Sequence, residues 1–264
     1  MRDVVVEAFI RVNGLRKVYR KRDEEFLAIS DATFDVAPGE LVSLVGPSGC
    51  GKTTLLKILA GLQDCDSGEQ RIGSASNPFD PSRDIGMVFQ QPLLLKWRRA
   101  IDNVLLPAEI LGLPMTESRA RARDLLALVG LAGSEDKYPY ELSGGQQQRA
   151  AIARALIHDP KLILMDEPFG ALDALTRKHL QNELLEIWER DRKTVMFVTH
   201  SVEEAVFLSD RIFVMTNSPG RIRKVLDVAL PRPRVRAELL VDRRYQEMVV
   251  AIEQLMDEQE PELS

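Results

Sequence analysis

Gly46-Pro47-Ser48-Gly49-Cys50-Gly51-Lys52-Thr53-Thr54 is the stretch that decides how this chain is read. It follows a strand-like run, Glu40-Leu41-Val42-Ser43-Leu44-Val45, and leads into a helical one, Leu55-Leu56-Lys57-Ile58-Leu59-Ala60. A strand, a glycine-rich turn and a helix start in that order aim a nest of backbone N–H groups at one point. The helix dipole adds positive potential there, so the natural ligand is a phosphate. The glycines keep Cβ atoms clear of both the turn and the phosphates. Lys52 is placed to reach the β- and γ-phosphates, and the Thr53 hydroxyl to join the shell of a Mg²⁺ ion. The full G-x-x-x-x-G-K-[ST] pattern in this context predicts binding of a nucleoside triphosphate. Cys50 lies inside the loop, where a helix N-terminus beside a lysine lowers a cysteine pKa, so a reactive thiol is expected, the alternative being a small buried residue that reagents never reach.

Outward from the loop, Val4 to Val12 and Phe26 to Val36 read as strands joined across the charged run Arg20-Lys21-Arg22-Asp23-Glu24-Glu25. Pro38-Gly39 is a turn that delivers the chain to the strand before the loop. Ile85-Gly86-Met87-Val88-Phe89 is a short strand that stops at Gln90-Gln91-Pro92. From Ala100 to Pro160 strand signals vanish, and helical stretches such as Glu117–Leu128 and Gly145–Ile157 dominate. Leu162-Ile163-Leu164-Met165 is an unbroken apolar run, typical of a strand buried on both faces. Leu175 to Arg190 puts Leu180, Leu184, Ile187 and Trp188 on one helical stripe. Thr194–Val198 and Arg211–Thr216 are further strands, and Asn217-Ser218-Pro219-Gly220 turns the latter into Arg221–Val228. Past Pro231-Arg232-Pro233-Arg234, a tail helix carries Val241, Tyr245, Met248, Val249, Ile252, Leu255 and Met256 at helical spacing. This βαβ rhythm on either side of a helical insert implies one α/β core interrupted by a helical subdomain.

Composition narrows the class. The 264 residues easily build a substantial core, and the net charge of −5 argues against non-specific nucleic-acid binding. No apolar run approaches the length of a membrane span. Met1-Arg2-Asp3-Val4-Val5-Val6-Glu7 meets an acid too early for a signal peptide. Two cysteines, Cys50 and Cys65, make neither a disulfide framework nor a metal-ligand set, which fits a reducing cytoplasm.

Leu162-Ile163-Leu164-Met165-Asp166-Glu167 sets two carboxylates at the end of a buried strand. Ligands of such sheets sit outside the carboxyl ends of the strands. Asp166 can hold Mg²⁺, directly or through a water, and Glu167 can polarise an attacking water. Leu142-Ser143-Gly144-Gly145-Gln146 stands ahead of this pair, Gln90 ends a short strand, and His200 follows Val195–Thr199. His158, near a helix C-terminus whose dipole suits a partial charge, and His179, beside the polar face of its helix, read as structural.

The order of phosphate loop, Gln90, Leu142–Gln146, Asp166–Glu167, Ala171-Leu172-Asp173 and His200 resembles the nucleotide-binding subunit of ATP-binding cassette transporters over nearly the whole chain. The resemblance implies an α/β fold: a P-loop NTPase core with a mixed sheet and an antiparallel β subdomain, an inserted α-helical subdomain and a C-terminal tail helix. The cassette is expected over residues 1–233, with its core in 1–91 and 160–233, the helical subdomain in 92–159 and the tail in 234–264. It implies that ATP is contacted by Gly46–Thr54, with Tyr19 stacked on adenine, and that Gln90 ligates Mg²⁺ and senses the γ-phosphate. Ser143, Gly144, Gly145 and Gln146 then close on the ATP held by a partner subunit, so each subunit holds two half-sites. Their N–H groups open a helix and form a second anion site. Asp173 couples the two halves, His200 bonds the γ-phosphate, and Glu167 is the general base.

Phe89-Gln90-Gln91-Pro92-Leu93-Leu94-Leu95-Lys96-Trp97 and Asp102-Asn103-Val104 resemble the importer branch for nitrate, aliphatic sulfonates, taurine and thiamine precursors. Ser218-Pro219-Gly220-Arg221-Ile222 and Leu230-Pro231-Arg232-Pro233-Arg234 point the same way. Lys96 departs from the proline expected before the tryptophan, in a segment that faces the membrane subunit in this family. The implied protein is a homodimeric ATPase, peripheral on the cytoplasmic face of the inner membrane. It serves two transmembrane permease subunits and an extracytoplasmic solute-binding protein, and binds no nucleic acid. One alternative is a cassette ATPase of another assembly, in lipid or other transport or in a non-transport complex. Another is a binding module without turnover, against which Glu167 and His200 both stand.

Overall fold

The computed structural model describes residues 7–21, 24–74, 78–170, 172–216 and 219–257. The chain opens with β1 (Ile10–Lys21), β2 (Glu24–Val36), β3 (Leu41–Val45), α1 (Lys52–Leu59) and β4 (Ser67–Ile72). Then come α2 (Pro81–Asp84), β5 (Ile85–Val88), α3 (Ala100–Ile110), α4 (Met115–Leu128), a 3₁₀ turn (Pro139–Glu141), α5 (Gly144–Leu156) and β6 (Leu162–Asp166). It closes with α6 (Ala174–Asp191), β7 (Thr194–Val198), α7 (Val202–Leu208), β8 (Arg211–Met215), β9 (Gly220–Asp227), α8 (Arg236–Leu239) and α9 (Arg243–Asp257). These elements fall into two compact units, Met1–Phe79 with Val198–Ser264, and Asp80–Phe197.

In the first unit the strands run in the order β4-β1-β2-β9-β8-β3. β1 pairs antiparallel with β2 and β4, β8 with β9, while β2–β9 and β3–β8 are parallel. All five residues of β3 are buried, as a strand covered on both faces requires. β2 instead alternates in its second half, with Ala32, Phe34 and Val36 inward. The strand expected over Val4–Val12 begins at Ile10; Val4–Val6 lie outside the described residues, as do Asn217 and Ser218 of the expected turn. α7 covers β3, and the tail helix α9 lies on α7 and β8. Its anchors are Tyr245 and Ile252, seven residues or two turns apart on one face. Val241, expected to open this stripe, stands 82% exposed in the turn before α9. Helical spacing carries no information about burial beyond the end of a helix.

In the second unit the strands run β7-β6-β5, with β5 and β6 parallel from Ile85 opposite Leu162 to Val88 opposite Met165. Between β5 and β6, α3, α4 and α5 pack on one another. This is the expected helical insert in an α/β framework. α6 buries Leu180, Leu184, Ile187 and Trp188 as its spacing demands. Arg192, in the left-handed region at φ 47°, ends it and lays its guanidinium 4.3 Å above the Trp188 ring.

Candidate functional site

The phosphate loop leaves β3 and enters α1. Gly49 and Gly51 take φ of 80° and 95°, and a Cβ at Gly51 would meet the Ala28 carbonyl oxygen at 2.8 Å. Glycine is therefore required at Gly51 both by conformation and by close approach. Lys52 is only 7% exposed, and its Nζ donates to the carbonyl oxygens of Gly46 and Pro47 at 2.7 Å each. The loop thus folds its own backbone around the ammonium, which holds a fixed positive charge at the mouth of the helix. Ser48 and Gly49 are exposed, while Thr53 and Thr54 sit half-buried in the first turn of α1.

The Tyr19 hydroxyl donates to Gln63 Oε1 at 3.0 Å and lies 3.1 Å from Thr54 Oγ1, which ties the hairpin β1–β2 to α1. Gln63 has no sequence signature; only the fold brings it to Tyr19. His200 stands exposed one residue after Thr199, whose N–H donates to Leu44 O in β3 at 3.3 Å. Thr199 Oγ1 donates to the buried Glu204 carboxylate at 2.7 Å and accepts from Ser201 N–H. Ser201 then caps α7 by accepting from Glu204 N–H. His200 is held between a strand end and a capped helix start, beside the strand that enters the phosphate loop.

The reactive Cys50 expected from its helix N-terminus is not what the fold makes. Its side chain is fully buried, and burial pushes the thiol pKa up, outweighing the Lys52 ammonium 3.6 Å from Sγ. Gly220, at the start of β9, lies so close to the Cys50 carbonyl that a Cβ there would collide with it. Cys50 is a packed floor of the loop.

In the second unit, β6 ends on Asp166, 5% exposed, followed by Glu167 at φ 45°. A non-glycine residue in the left-handed region costs about 1 kcal/mol and marks a position worth functional scrutiny. The Glu167 carboxylate accepts from Gln90 Nε2 at 3.0 Å. Gln90 is itself positioned by the preceding residue: buried Gln148 donates to Phe89 O at 3.1 Å. Arg154 donates to Pro92 O and Leu93 O at 2.7 and 2.8 Å, and buried Asn103 accepts from Leu95 N–H and donates to Leu95 O. The loop from Gln90 to Trp97 is thus fixed from beneath while Leu93 and Trp97 stay exposed.

Ser143 caps α5 in a reciprocal box: its Oγ accepts from Gln146 N–H at 3.3 Å, and Gln146 Oε1 accepts from Ser143 N–H at 2.9 Å. Gly144 and Gly145 occupy the first turn, and a Cβ on Gly144 would meet nothing within 4 Å. Asp173 caps α6, accepting from Leu175 and Thr176 N–H at 3.1 and 3.0 Å, and these bonds hold its carboxyl below the usual range. Ala171 lies outside the described residues. His158 is structural, as expected: burial lowers its pKa, and Nε2 lies 3.0 Å from Ile85 O. His179 pairs with Glu183 on the surface of α6.

Against known proteins, residues 29–170 match the ABC transporter family model. An uncharacterized ABC transporter ATP-binding protein of Methanocaldococcus jannaschii is 47% identical over 230 residues, 87% of this chain and 86% of its own length. The aliphatic sulfonates import ATP-binding protein SsuB of Bacillus cereus is 43% identical over 225 residues, 85% and 88% of the two chains. A dimeric post-hydrolysis state of the ATP-binding cassette MJ0796, bound to ADP and Pi, superposes with a TM-score of 0.75 at 33% identity. That match covers 84% of this chain and all of the other. With the phosphate loop, the Asp166–Glu167 strand end and the capped Ser143 helix all in place, the chain belongs to the ABC transporter family as an ATP-binding subunit.

Proposed function

We propose that this chain is the ATPase of an importer for a small solute of the aliphatic sulfonate, nitrate or taurine kind. It works as a homodimer on the cytoplasmic face of the membrane, with two permease subunits and an external solute-binding protein. The observation that carries the catalytic part is Glu167: a strained carboxylate just past the end of β6 that accepts from Gln90 Nε2. Likeness to the sulfonate importer subunit over 225 residues supports the import reading.

On this reading the N–H groups of Gly46–Thr54 and the Lys52 ammonium serve the phosphates, Tyr19 the base and His200 the γ-phosphate. Asp166 and Gln90 serve Mg²⁺, and Glu167 takes the proton of the attacking water. Ser143, Gly144, Gly145 and Gln146 present N–H groups to the ATP of a partner subunit, and Asp173 sets the helix start beside that contact. Among the described residues no cluster of three or more His, Cys, Asp or Glu forms a metal cage. The hard oxygen donors of Thr53, Gln90 and Asp166 suit Mg²⁺, which keeps several waters and is bound by few protein groups plus phosphate oxygens. When bound, Mg²⁺ neutralises charge that develops on the phosphates.

The permease reading draws on a cleft of about 310 Å³ in the second unit, lined by residues that include Met87, Phe89, Leu93, Leu106 and Ile110, and on Trp97, which is exposed in the same loop as Leu93. No helix among the described residues is long and apolar enough to cross a membrane. Co-expression with a multi-span permease encoded beside this chain, together with its binding protein, tests the proposal. Co-purification and phosphate release stimulated by solute-loaded binding protein are expected; release that ignores both partners overturns it.

A further inference from the structure

His200 stands exposed between two residues that bond to each other. Thr199, its buried predecessor, accepts at Oγ1 from the Ser201 N–H at 3.0 Å, which closes a ring around the His200 backbone. The same hydroxyl donates to Glu204 Oε2 at 2.7 Å, the length of a bond strengthened by the carboxylate charge. A hydroxyl offers one proton and two lone pairs, so one atom of Thr199 joins the turn to the helix beyond it.

Glu204 is 8% exposed, in a helix where Val202, Ala205, Val206, Phe207 and Leu208 are buried with it. A buried carboxylate that only filled space would be better replaced by an apolar side chain. The helix that carries it, α7, is held at its far end. Arg234, 6% exposed, donates to the carbonyl oxygens of Val206, Phe207 and Ser209 at 3.1, 3.0 and 2.7 Å. The last carbonyls of a helix have no partner within it, and this guanidinium supplies one. Arg236 stands 3.9 Å from the centre of the Phe207 ring and is attracted by the Glu204 carboxylate. A held helix gives Glu204 a fixed position, and the bond to Thr199 passes that position to the turn. All of these residues lie in the first compact unit.

We infer that Glu204 and Thr199 are positioning residues for His200: the buried carboxylate, through the Thr199 hydroxyl, fixes the turn that presents the imidazole. The inference rests on the reading of His200 as the γ-phosphate contact. Both side chains are buried, so they act on the nucleotide only through His200. A misplacement of about 1 Å at a reacting group costs on the order of 10²-fold in rate, while the phosphate loop still binds ATP.

The test combines single-turnover phosphate release at saturating Mg-ATP with equilibrium titration of Mg-ATP, on the whole chain. Thr199→Val keeps the shape and deletes the hydroxyl. It is expected to lower the rate about tenfold to a hundredfold with Mg-ATP affinity within about twofold of the parent. Thr199→Ser keeps the hydroxyl and should restore the rate. On a His200→Ala background Thr199→Val should cost nothing further, because residues that act as a unit are not additive. Glu204→Ala breaks the pair from the other side; it should give the same pattern, and it carries the test if Thr199→Val does not fold. Parent-like rates in Thr199→Val and Glu204→Ala overturn the inference. So does a loss of equal size with and without His200, which marks a general disturbance of the fold. His200→Ala separates the two levels. If it hydrolyses at the parent rate, the γ-phosphate reading falls and the role of the pair falls with it. If it is slow while Thr199→Val is parent-like, the pair alone loses its role.

Discussion

Replacing Glu167 by glutamine removes a base and little else. The side chains are isosteric, and the glutamine amide oxygen can still accept from Gln90 Nε2, so the 3.0 Å contact has a counterpart in the variant. The left-handed backbone at φ 45° is equally strained with either side chain. Stability should therefore change by no more than about 1 kcal/mol. Hydrolysis should not survive: a positioned general base is worth about 10²–10⁴ in rate, or roughly 2.7–5.4 kcal/mol of barrier. Single-turnover phosphate release measures the rate, and equilibrium titration with Mg-ATP should return the parent affinity. With hydrolysis lost, ATP remains between two chains, and a dimer should be visible by size in Mg-ATP. Glu167→Gly adds a control that separates chemistry from strain. It relieves the left-handed conformation and should raise stability by up to about 1 kcal/mol while remaining inactive. Phosphate release by Glu167→Gln at the parent rate refutes the assignment of the base.

Lys52→Ala deletes a charge that bonds two loop carbonyls, and Mg-ATP affinity by titration should fall about tenfold to a hundredfold. Mass-spectrometric mapping of limited thiol labelling should find Cys65 modified first, with Cys50 reacting only on unfolding, because the Cys50 thiol is buried and its pKa is raised. His158 is held neutral by burial, and its Nδ1 finds no hydrogen-bond partner among the described residues. Its folded pKa lies below the unfolded value of about 6.5, so the unfolded chain takes up a proton that the native one refuses. Stability is retained above that pH and falls below it, by at most about 1.4 kcal/mol per pH unit for this group. Thermal melts from pH 7.5 to 5.5 should show a shallower decline in His158→Gln than in the parent. Ile252→Ala, emptying the fully buried anchor of α9, should cost about 2–4 kcal/mol and lower the melting temperature by about 5–15 °C. An unchanged melt would show the tail helix to be idle.

Much of the framework was legible because it is written in local terms. The phosphate loop needs backbone N–H groups, glycines and one lysine within nine consecutive residues, and all of these are read directly from Gly46–Thr54. Leu162–Met165 announces a strand buried on both faces by its unbroken apolar run, and all residues of β6 are buried, as are those of the strand-like run Leu41–Val45. Ser143 with Gln146 spells a capping box three residues apart, which the fold forms at α5. Periodicity likewise placed Tyr245 and Ile252 on the inner face of a tail helix, though not the surface that receives them. It carried the stripe one step too far, to Val241, because spacing alone does not mark where a helix begins.

Tertiary structure decided whatever depends on residues distant in the chain. Gln63 reaches Tyr19 across 44 positions, and Gln90 reaches Glu167 across 77, so neither bond leaves a local pattern. The opposition of Phe26 to Tyr19 depends on a register set after the bulges of β1, which alternation alone does not locate. Cys50 shows the difference most sharply. Its neighbours in sequence, Gly49, Gly51 and Lys52, argue for an activated thiol, and those neighbours are where the sequence says they are. What reverses the outcome is desolvation, a property of everything packed around Cys50, including a chain segment that arrives 170 residues later, where Gly220 lies against its carbonyl. The sequence by itself determined the form of the phosphate loop, because that geometry is built within one turn and one helix start. Only the packed fold determined which groups water can reach, because burial sums over the whole chain.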